Sequence, residues 1–121
     1  RCTLRRFIIE FCLGTDFHGQ DVNKAAQKAV RDAMSRCCLC GLSEVLGISD
    51  FNKDVKVNVT VAVSKPEGVD LDAVKACLPI GEAEVGAVEG GLKVPGMYIP
   101  AFGDSDDSIE VAVAAIEVSV R

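Results

Sequence analysis

The stretch from Val22 to Cys38 constrains the fold of this 121-residue chain more than any other feature. Its apolar residues recur at the three- and four-residue spacing of one helical face, and charged residues occupy the opposite face. Asp21 is the predicted N-cap, and Gly41 is predicted to end the helix. The apolar face consists of Val22, Ala25, Ala26, Ala29, Val30, Ala33, Met34 and Cys37. Because most of these side chains are small, the helix can lie close against a sheet.

Four segments carry the patterns of strands. Leu4–Leu13 is apolar on both faces except at Glu10, which predicts a central strand. Val55–Val63 alternates valine with polar or small residues, which is typical of a half-buried antiparallel strand. Ala83–Val88, with a weak continuation, and Ile109–Val120 are the other two predicted strands.

The last strand changes the phase of its alternation, which predicts a β-bulge near Ala114 and Ala115. A second, shorter helix is predicted after Asp70 as N-cap, ending at Pro79. The loop over 95–108 is long for a small domain, so we expect it to be functional or mobile.

These elements follow in the order β-α-β-α-β-β, which predicts one α+β domain over residues 1–121. We expect a two-layer sandwich in which a mostly antiparallel four-stranded sheet carries both helices on one face. The order resembles the trimeric folds of the bacterial chorismate mutases and of the reactive-intermediate deaminases. Because such a sheet leaves its other face partly apolar and uncovered, a dimer or trimer is the expected assembly.

Composition excludes several classes of function. A net charge of −5, with one basic cluster at Arg1, Arg5 and Arg6, argues against nucleic-acid binding. No apolar run approaches the ~20 residues of a membrane span, and no signal peptide is visible, so we expect a cytoplasmic protein, or an organellar one if a leader preceded Arg1. The six cysteines are expected to be reduced thiols in that compartment.

Chemistry is predicted in the polar loop from Gly14 to Asp21, between the first strand and the first helix. This loop holds the single histidine of the chain, His18. An imidazole can donate or accept a proton near neutral pH, and Asp16 could orient one of its nitrogens. His18 and Asp16 are therefore the predicted acid–base pair, and the predicted ligand-binding residues of the loop are Thr15, Gly19 and Gln20.

Two other roles have less support from the residues of this loop. The carboxylates of Asp16 and Asp21 would repel a phosphate, and the loop lacks the lysine of a P-loop. Asp16, His18 and Asp21 could supply metal ligands, but no second histidine supports such a site. No metal and no cofactor are predicted. The alternative is that His18, Asp16 and Gln20 only satisfy backbone groups of the loop and brace the turn.

A second candidate lies at Glu89-Gly90-Gly91. Glu89 would be a third catalytic group at a strand end, and Gly90 and Gly91 would let a ligand approach the backbone. The alternative is an ordinary bulge or strand break.

Three segments carry a resemblance to a known family: Phe7–Asp21, Val69–Ala76 and Val88–Leu92. The chain resembles an uncharacterised conserved family of small bacterial and plant proteins, typified by a hypothetical protein of Listeria. The Asp-x-His-Gly-Gln-Asp element, which begins at Asp16, is the most specific part. The resemblance implies a single-domain intracellular protein and carries no activity, cofactor or catalytic residue. The chain departs from the family at 37–40, where fewer cysteines and a proline are expected.

Two classes of function remain open on the sequence. The first is a small-molecule enzyme with a site between subunits, in which His18 and Asp16 act as the acid–base pair and Glu89 or Gln20 positions a carbonyl or amine. The second is an oligomer that binds a metabolite without chemistry, or whose polar loop only shapes a subunit contact.

Overall fold

The computed structural model describes residues 3–121, so Arg1 of the predicted basic cluster lies outside the described residues. It contains five strands, four helices and two short 3-10 turns. The strands are β1 (Arg5–Asp16), β2 (Val55–Val63), β3 (Glu82–Glu89), β4 (Leu92–Pro95) and β5 (Ser108–Val120). The helices are α1 (Val22–Arg36), α2 (Gly41–Glu44), α3 (Phe51–Asp54) and α4 (Leu71–Lys75), and the turns are Pro66–Gly68 and Pro100–Phe102.

The predicted first helix is confirmed as α1, and its start is fixed by the predicted cap. The Asp21 carboxylate accepts hydrogen bonds from the backbone N–H groups of Asn23 and Lys24, at 2.9 and 3.2 Å. The predicted end is wrong. α1 stops at Arg36 because the backbone is extended at Cys37, and Gly41 begins α2 instead.

The sheet has one more strand than predicted, and its strands run in both parallel and antiparallel pairs. Its order is β1-β5-β2-β3, and β4 pairs with β5 next to the end of β2. β5 is antiparallel to β1, β2 and β4, whereas β2 and β3 are parallel. The prediction of a four-stranded, mostly antiparallel sheet with two helices is therefore corrected to a five-stranded mixed sheet with four helices. The parallel pair arises because the chain crosses over through α4 between β2 and β3.

β1 is an edge strand, not the predicted central one, because it pairs only with β5. The predicted bulge at Ala114 and Ala115 is also wrong, since both residues pair regularly with β1. The register shift instead lies in β1, between Arg6 and Ile8. Even-numbered residues of β5 from 110 to 120 are buried, so the apparent change of phase comes from apolar residues on the opposite face.

The core lies between α1 and the sheet. Gly14 of β1 sits directly under the backbone of α1, because a Cβ atom there would lie 2.3 Å from the nitrogen of Ala29. This contact is why the buried face of α1 is built of alanine and valine. Val74 of α4 is fully buried and completes the core. The predicted N-cap of α4 is confirmed, because the Asp70 carboxylate accepts hydrogen bonds from two backbone N–H groups.

The opposite face of the sheet stays uncovered in the described chain. Phe11 and Leu13 of β1 are 72% and 57% exposed, and Ile9 and Val113 beside them are also exposed. We refer to these four residues as the open face. None of the helices described in residues 3–121 has the length and apolar character needed to cross a membrane.

Candidate functional site

The candidate site forms where β1 ends and the chain turns into α1. Asp16, the last residue of β1, is buried, and its carboxylate accepts a hydrogen bond of 2.8 Å from the N–H of Asp21. Gly19 and Gln20 then both have positive φ, at 97° and 51°. For a residue such as Gln20 this conformation costs about 1–2 kcal/mol, so other contacts must hold the turn in place.

The contacts that hold the turn come from a distant loop. The Nδ1 atom of His18 lies 2.7 Å from a carboxylate oxygen of Asp104, which is 86 residues further along the chain. Asp104 also accepts hydrogen bonds from the N–H of Gly19, the side-chain amide of Gln20 and the N–H of Ile99, at 2.8, 3.0 and 2.9 Å. Its side chain has no exposed surface. Asp104 is therefore the centre of the site.

The surroundings of Asp104 keep it ionised. Desolvation opposes ionisation most strongly, but the hydrogen bonds from Ile99, His18, Gly19 and Gln20 together outweigh it and hold the pKa of Asp104 well below its ordinary value. A carboxylate can only accept hydrogen bonds, so Nδ1 of His18 must donate to it. A neutral His18 then carries its proton on Nδ1 and a lone pair on Nε2.

Nε2 of His18 is available for further chemistry. No residue within 3–121 hydrogen-bonds this atom, and the side chain is 29% exposed. The ring of Phe102 packs edge-on against the imidazole, with ring centroids 5.1 Å apart. The imidazole is thus oriented by one carboxylate and one aromatic ring and can exchange a proton on its free side.

Gln20 fastens the loop of residues 96–107 to the turn. Its carbonyl oxygen accepts hydrogen bonds from the N–H and hydroxyl of Ser105, at 3.0 and 3.2 Å. Its amide also donates to the backbone oxygen of Ser108, at 2.9 Å. These bonds explain how a residue with a side chain adopts a positive φ at this position.

The other predicted residues of the loop take part mainly through their backbone. The carbonyl of Thr15 accepts a hydrogen bond of 2.9 Å from the ammonium group of Lys28, and the N–H of Gly19 is committed to Asp104. The structure brings Asp16, His18 and Gln20 into one turn, but the carboxylate bonded to His18 is that of Asp104.

Glu89, Gly90 and Gly91 form the connection from β3 to β4. The N–H of Gly90 donates to the backbone oxygen of Val63, at 2.9 Å. Gly91 has a φ of 73°, and a Cβ atom there would lie 2.4 Å from the oxygen of Val111. The two glycines therefore allow the chain to pass from β3, which pairs with β2, to β4, which pairs with β5. The side chain of Glu89 is exposed and makes no hydrogen bond or ion pair with residues 3–121.

Sequence reasoning missed Asp104, Ser105 and Phe102. The signal available was the run Gly103-Asp-Ser-Asp-Asp107 inside a long loop, but nothing in it indicates which carboxylate turns inward. Within the described chain, no three His, Cys, Asp or Glu side chains stand together as a metal site. Its five described cysteines are all free thiols.

Acid should release the loop from the turn. Because the pKa of Asp104 is lowered on folding, its contribution to stability is complete above its ordinary value of 3.8 and is lost as the pH falls through the folded value. Tyr98, the only tyrosine, lies beside Ile99 in this loop, and the chain has no tryptophan. We expect the near-ultraviolet circular dichroism of Tyr98 to weaken as the pH falls below 3.8 towards the folded pKa of Asp104.

The same measurement on two variants locates the cause. Asp104→Asn should weaken the Tyr98 signal already at pH 7, whereas Asp107→Asn, an equal change at an exposed neighbour, should not. An unchanged signal in Asp104→Asn would show that other contacts hold the loop. The predicted mobility of residues 95–108 is tested by the same signal.

The fold and the site together define a class: a small α+β domain with an aspartate-oriented histidine at a strand-to-helix turn and an uncovered apolar sheet face. A model of a conserved hypothetical protein family (Lin0512_fam) matches residues 6–118. The chain belongs to this family, in agreement with the resemblance of its sequence.

One solved structure is similar over almost the whole chain. It is a crystal structure of an FtsZ-like protein of unknown function from Nostoc punctiforme, 39% identical in sequence. The similarity covers 98% of this chain and 97% of that one, with a TM-score of 0.86. No curated protein matches the chain.

Proposed function

We propose that this protein is a small-molecule enzyme in which His18 transfers a proton through Nε2. The observation that supports this most strongly is the 2.7 Å bond between Nδ1 of His18 and the buried Asp104. A carboxylate that fixes the tautomer and stabilises the imidazolium is the arrangement general acid–base catalysis requires. Asp104 takes the orienting role predicted for Asp16, which instead braces the turn through the N–H of Asp21.

The site is proposed to lie between subunits. Exposed apolar side chains stand near His18 in sequence or in the adjoining loop, where a second chain could cover them: Phe17, Met97, Tyr98 and Phe102. The open face lies on β1, the strand that leads into this turn, and on its neighbour β5. A dimer or trimer that buries it would also enclose Nε2 and exclude water.

In this proposal the substrate is a small carbonyl or amine compound. The hydroxyl of Thr15 offers a polar atom at the turn, whereas the amide of Gln20 and the N–H of Gly19 shape the turn through their bonds to Asp104. Exposed Glu89, beside the two glycines of the β3–β4 connection, supplies a carboxylate. The free thiols of the described chain fit a reducing compartment such as the cytoplasm. No cofactor is proposed.

Turnover by His18 can be tested without knowing the substrate. The purified protein is incubated with a metabolite extract, and depleted or newly formed masses are followed by mass spectrometry. We expect His18→Ala and Asp104→Asn to abolish a conversion that the wild type and Lys24→Ala, an exposed control on α1, both perform. The same conversion at an equal rate in His18→Ala would overturn the proposal.

The single histidine gives a direct check of its reactivity. Diethyl pyrocarbonate acylates unprotonated imidazole nitrogen, so the absorbance change reports on His18 alone. We expect one modification per chain and loss of turnover in parallel. A His18 that stays unmodified in the folded protein would contradict an accessible Nε2.

The second candidate is a metabolite-binding or structural oligomer without catalysis. It is favoured by one observation: Asp104 also binds Gly19, Gln20 and Ile99, so the same carboxylate braces the loop. Native mass spectrometry separates the two functions. A ligand that co-purifies unchanged with the wild type, together with no conversion in the extract, would favour this candidate.

A further inference from the structure

A cavity lies far from His18, between the sheet and the C-terminal end of α1. Its volume is about 130 Å³. Apolar side chains form most of its wall, among them Met34, Leu39, Val57, Leu78 and Ile80. Its distance from the turn that holds His18 is about 20 Å along β1, at ~3.3 Å per residue.

One acidic side chain lines this apolar cavity. Glu10, on the covered face of β1, is only 8% exposed. Its Oε2 atom is buried and has no hydrogen-bond partner among residues 3–121. Neither lysine nor arginine lines the cavity. Leaving a buried carboxylate oxygen without a partner is costly, and folded proteins tolerate few such atoms.

The other charged and polar groups near Glu10 do not neutralise it. A hydrogen bond with Glu10, followed by burial, raises the pKa of the Cys37 thiol, so this neighbour stays neutral. Cys12, two residues along the same face, is likewise a thiol whose pKa is raised, by burial first and then by the charges of Asp32 and Glu10. Arg36 is close enough to act on the pKa of both thiols, but it pairs with Asp32 and does not line the cavity. No cation of residues 3–121 therefore faces the carboxylate in the cavity.

We infer that this cavity binds a small ammonium ion carried on a compact apolar group. The ammonium would donate to Oε2 of Glu10 and supply the missing charge, while the apolar part would fill the space between α1 and the Leu78–Ile80 segment. The volume limits the ligand to about the size of one ring, since a cavity of about 150 Å³ accommodates benzene. This site is independent of the function proposed for His18.

Three probes that share a phenyl ring test the inference. Benzylammonium, benzyl alcohol and benzoate are titrated into the isotope-labelled protein, and amide shifts of residues around the cavity are followed by NMR. Saturable shifts with benzylammonium are expected, with at least about tenfold weaker binding of the alcohol, because a charge-assisted hydrogen bond is worth more than about 1.4 kcal/mol. Benzoate should not bind.

Two variants assign the selectivity to Glu10. Glu10→Gln should lose at least about tenfold in affinity for benzylammonium, whereas Glu44→Gln, the same loss of charge at an exposed position, should bind as the wild type does. Absence of saturable shifts in the wild type would overturn the inference. Equal binding of benzylammonium and benzyl alcohol to the wild type would also overturn it, and this comparison needs no variant to fold.

Discussion

Replacing Gly14 by alanine should lower the free energy of unfolding by about 3 kcal/mol, at the upper end of what overpacking costs. A Cβ atom at this position would lie 2.3 Å from the nitrogen of Ala29 and 2.5 Å from the oxygen of Ala25. Both are backbone atoms of α1, so no side-chain rotation can relieve the clash. The helix would have to move away from β1 and open the core that the two elements share. Urea denaturation followed by far-ultraviolet circular dichroism measures the loss.

Gly86→Ala is the matched control. A Cβ atom added at Gly86 of β3 meets nothing within 4 Å, and this residue is exposed. The substitution should therefore leave stability unchanged or raise it by about 0.5 kcal/mol, because alanine restricts the unfolded chain. Equal stabilities of the two variants would show that α1 does not rest on the backbone of β1 as closely as described.

The closeness of this contact is also why the sequence predicts α1 well. A helix whose inner face is almost all alanine and valine can only be buried against a flat surface, and its apolar spacing is unbroken from Val22 to Ala33. Asp21 marks its start because a carboxylate there satisfies two N–H groups that no helical bond can reach. The end was harder to predict, since no glycine ends the helix.

Strand direction and position could not be obtained from alternation alone. β1 is apolar on both faces, which in an isolated chain indicates a central strand, yet it lies at the sheet edge with one face open. The same open face makes β5 apolar on both sides, and this produced the false bulge at Ala114 and Ala115. Both errors have one physical cause, which is an apolar surface that the single chain leaves uncovered.

The sequence predicts the turn of the candidate site but not the carboxylate that binds His18. The turn that contains His18 and Gln20 was located because polar residues cluster there between two apolar elements. Its carboxylate was assigned to Asp16, two residues away, whereas the bond to Nδ1 comes from Asp104. A contact across 86 residues depends on how the loop before β5 folds back, and short-range spacing carries no information about that.

Replacing Phe11 by aspartate should break the proposed oligomer. Phe11 is 72% exposed at the centre of the open face, between Ile9 and Leu13 on the same strand. An aromatic residue at the centre of an interface typically contributes about 2 kcal/mol or more, so the association constant should fall at least about 30-fold. A desolvated carboxylate in its place adds to the loss. Sedimentation velocity and native mass spectrometry measure the change.

Val45→Asp is the control for charge and lost apolar surface, because Val45 is 79% exposed at the end of α2 and is not one of the four residues of the open face. It should keep the wild-type assembly, whereas Phe11→Asp should be monomeric but folded. If a partner subunit completes the site around His18, Phe11→Asp should also lose any conversion that the wild type performs, although its turn and Asp104 are intact. A wild type that is monomeric at micromolar concentration, or a Phe11→Asp variant of unchanged mass, would show that the open face serves another purpose.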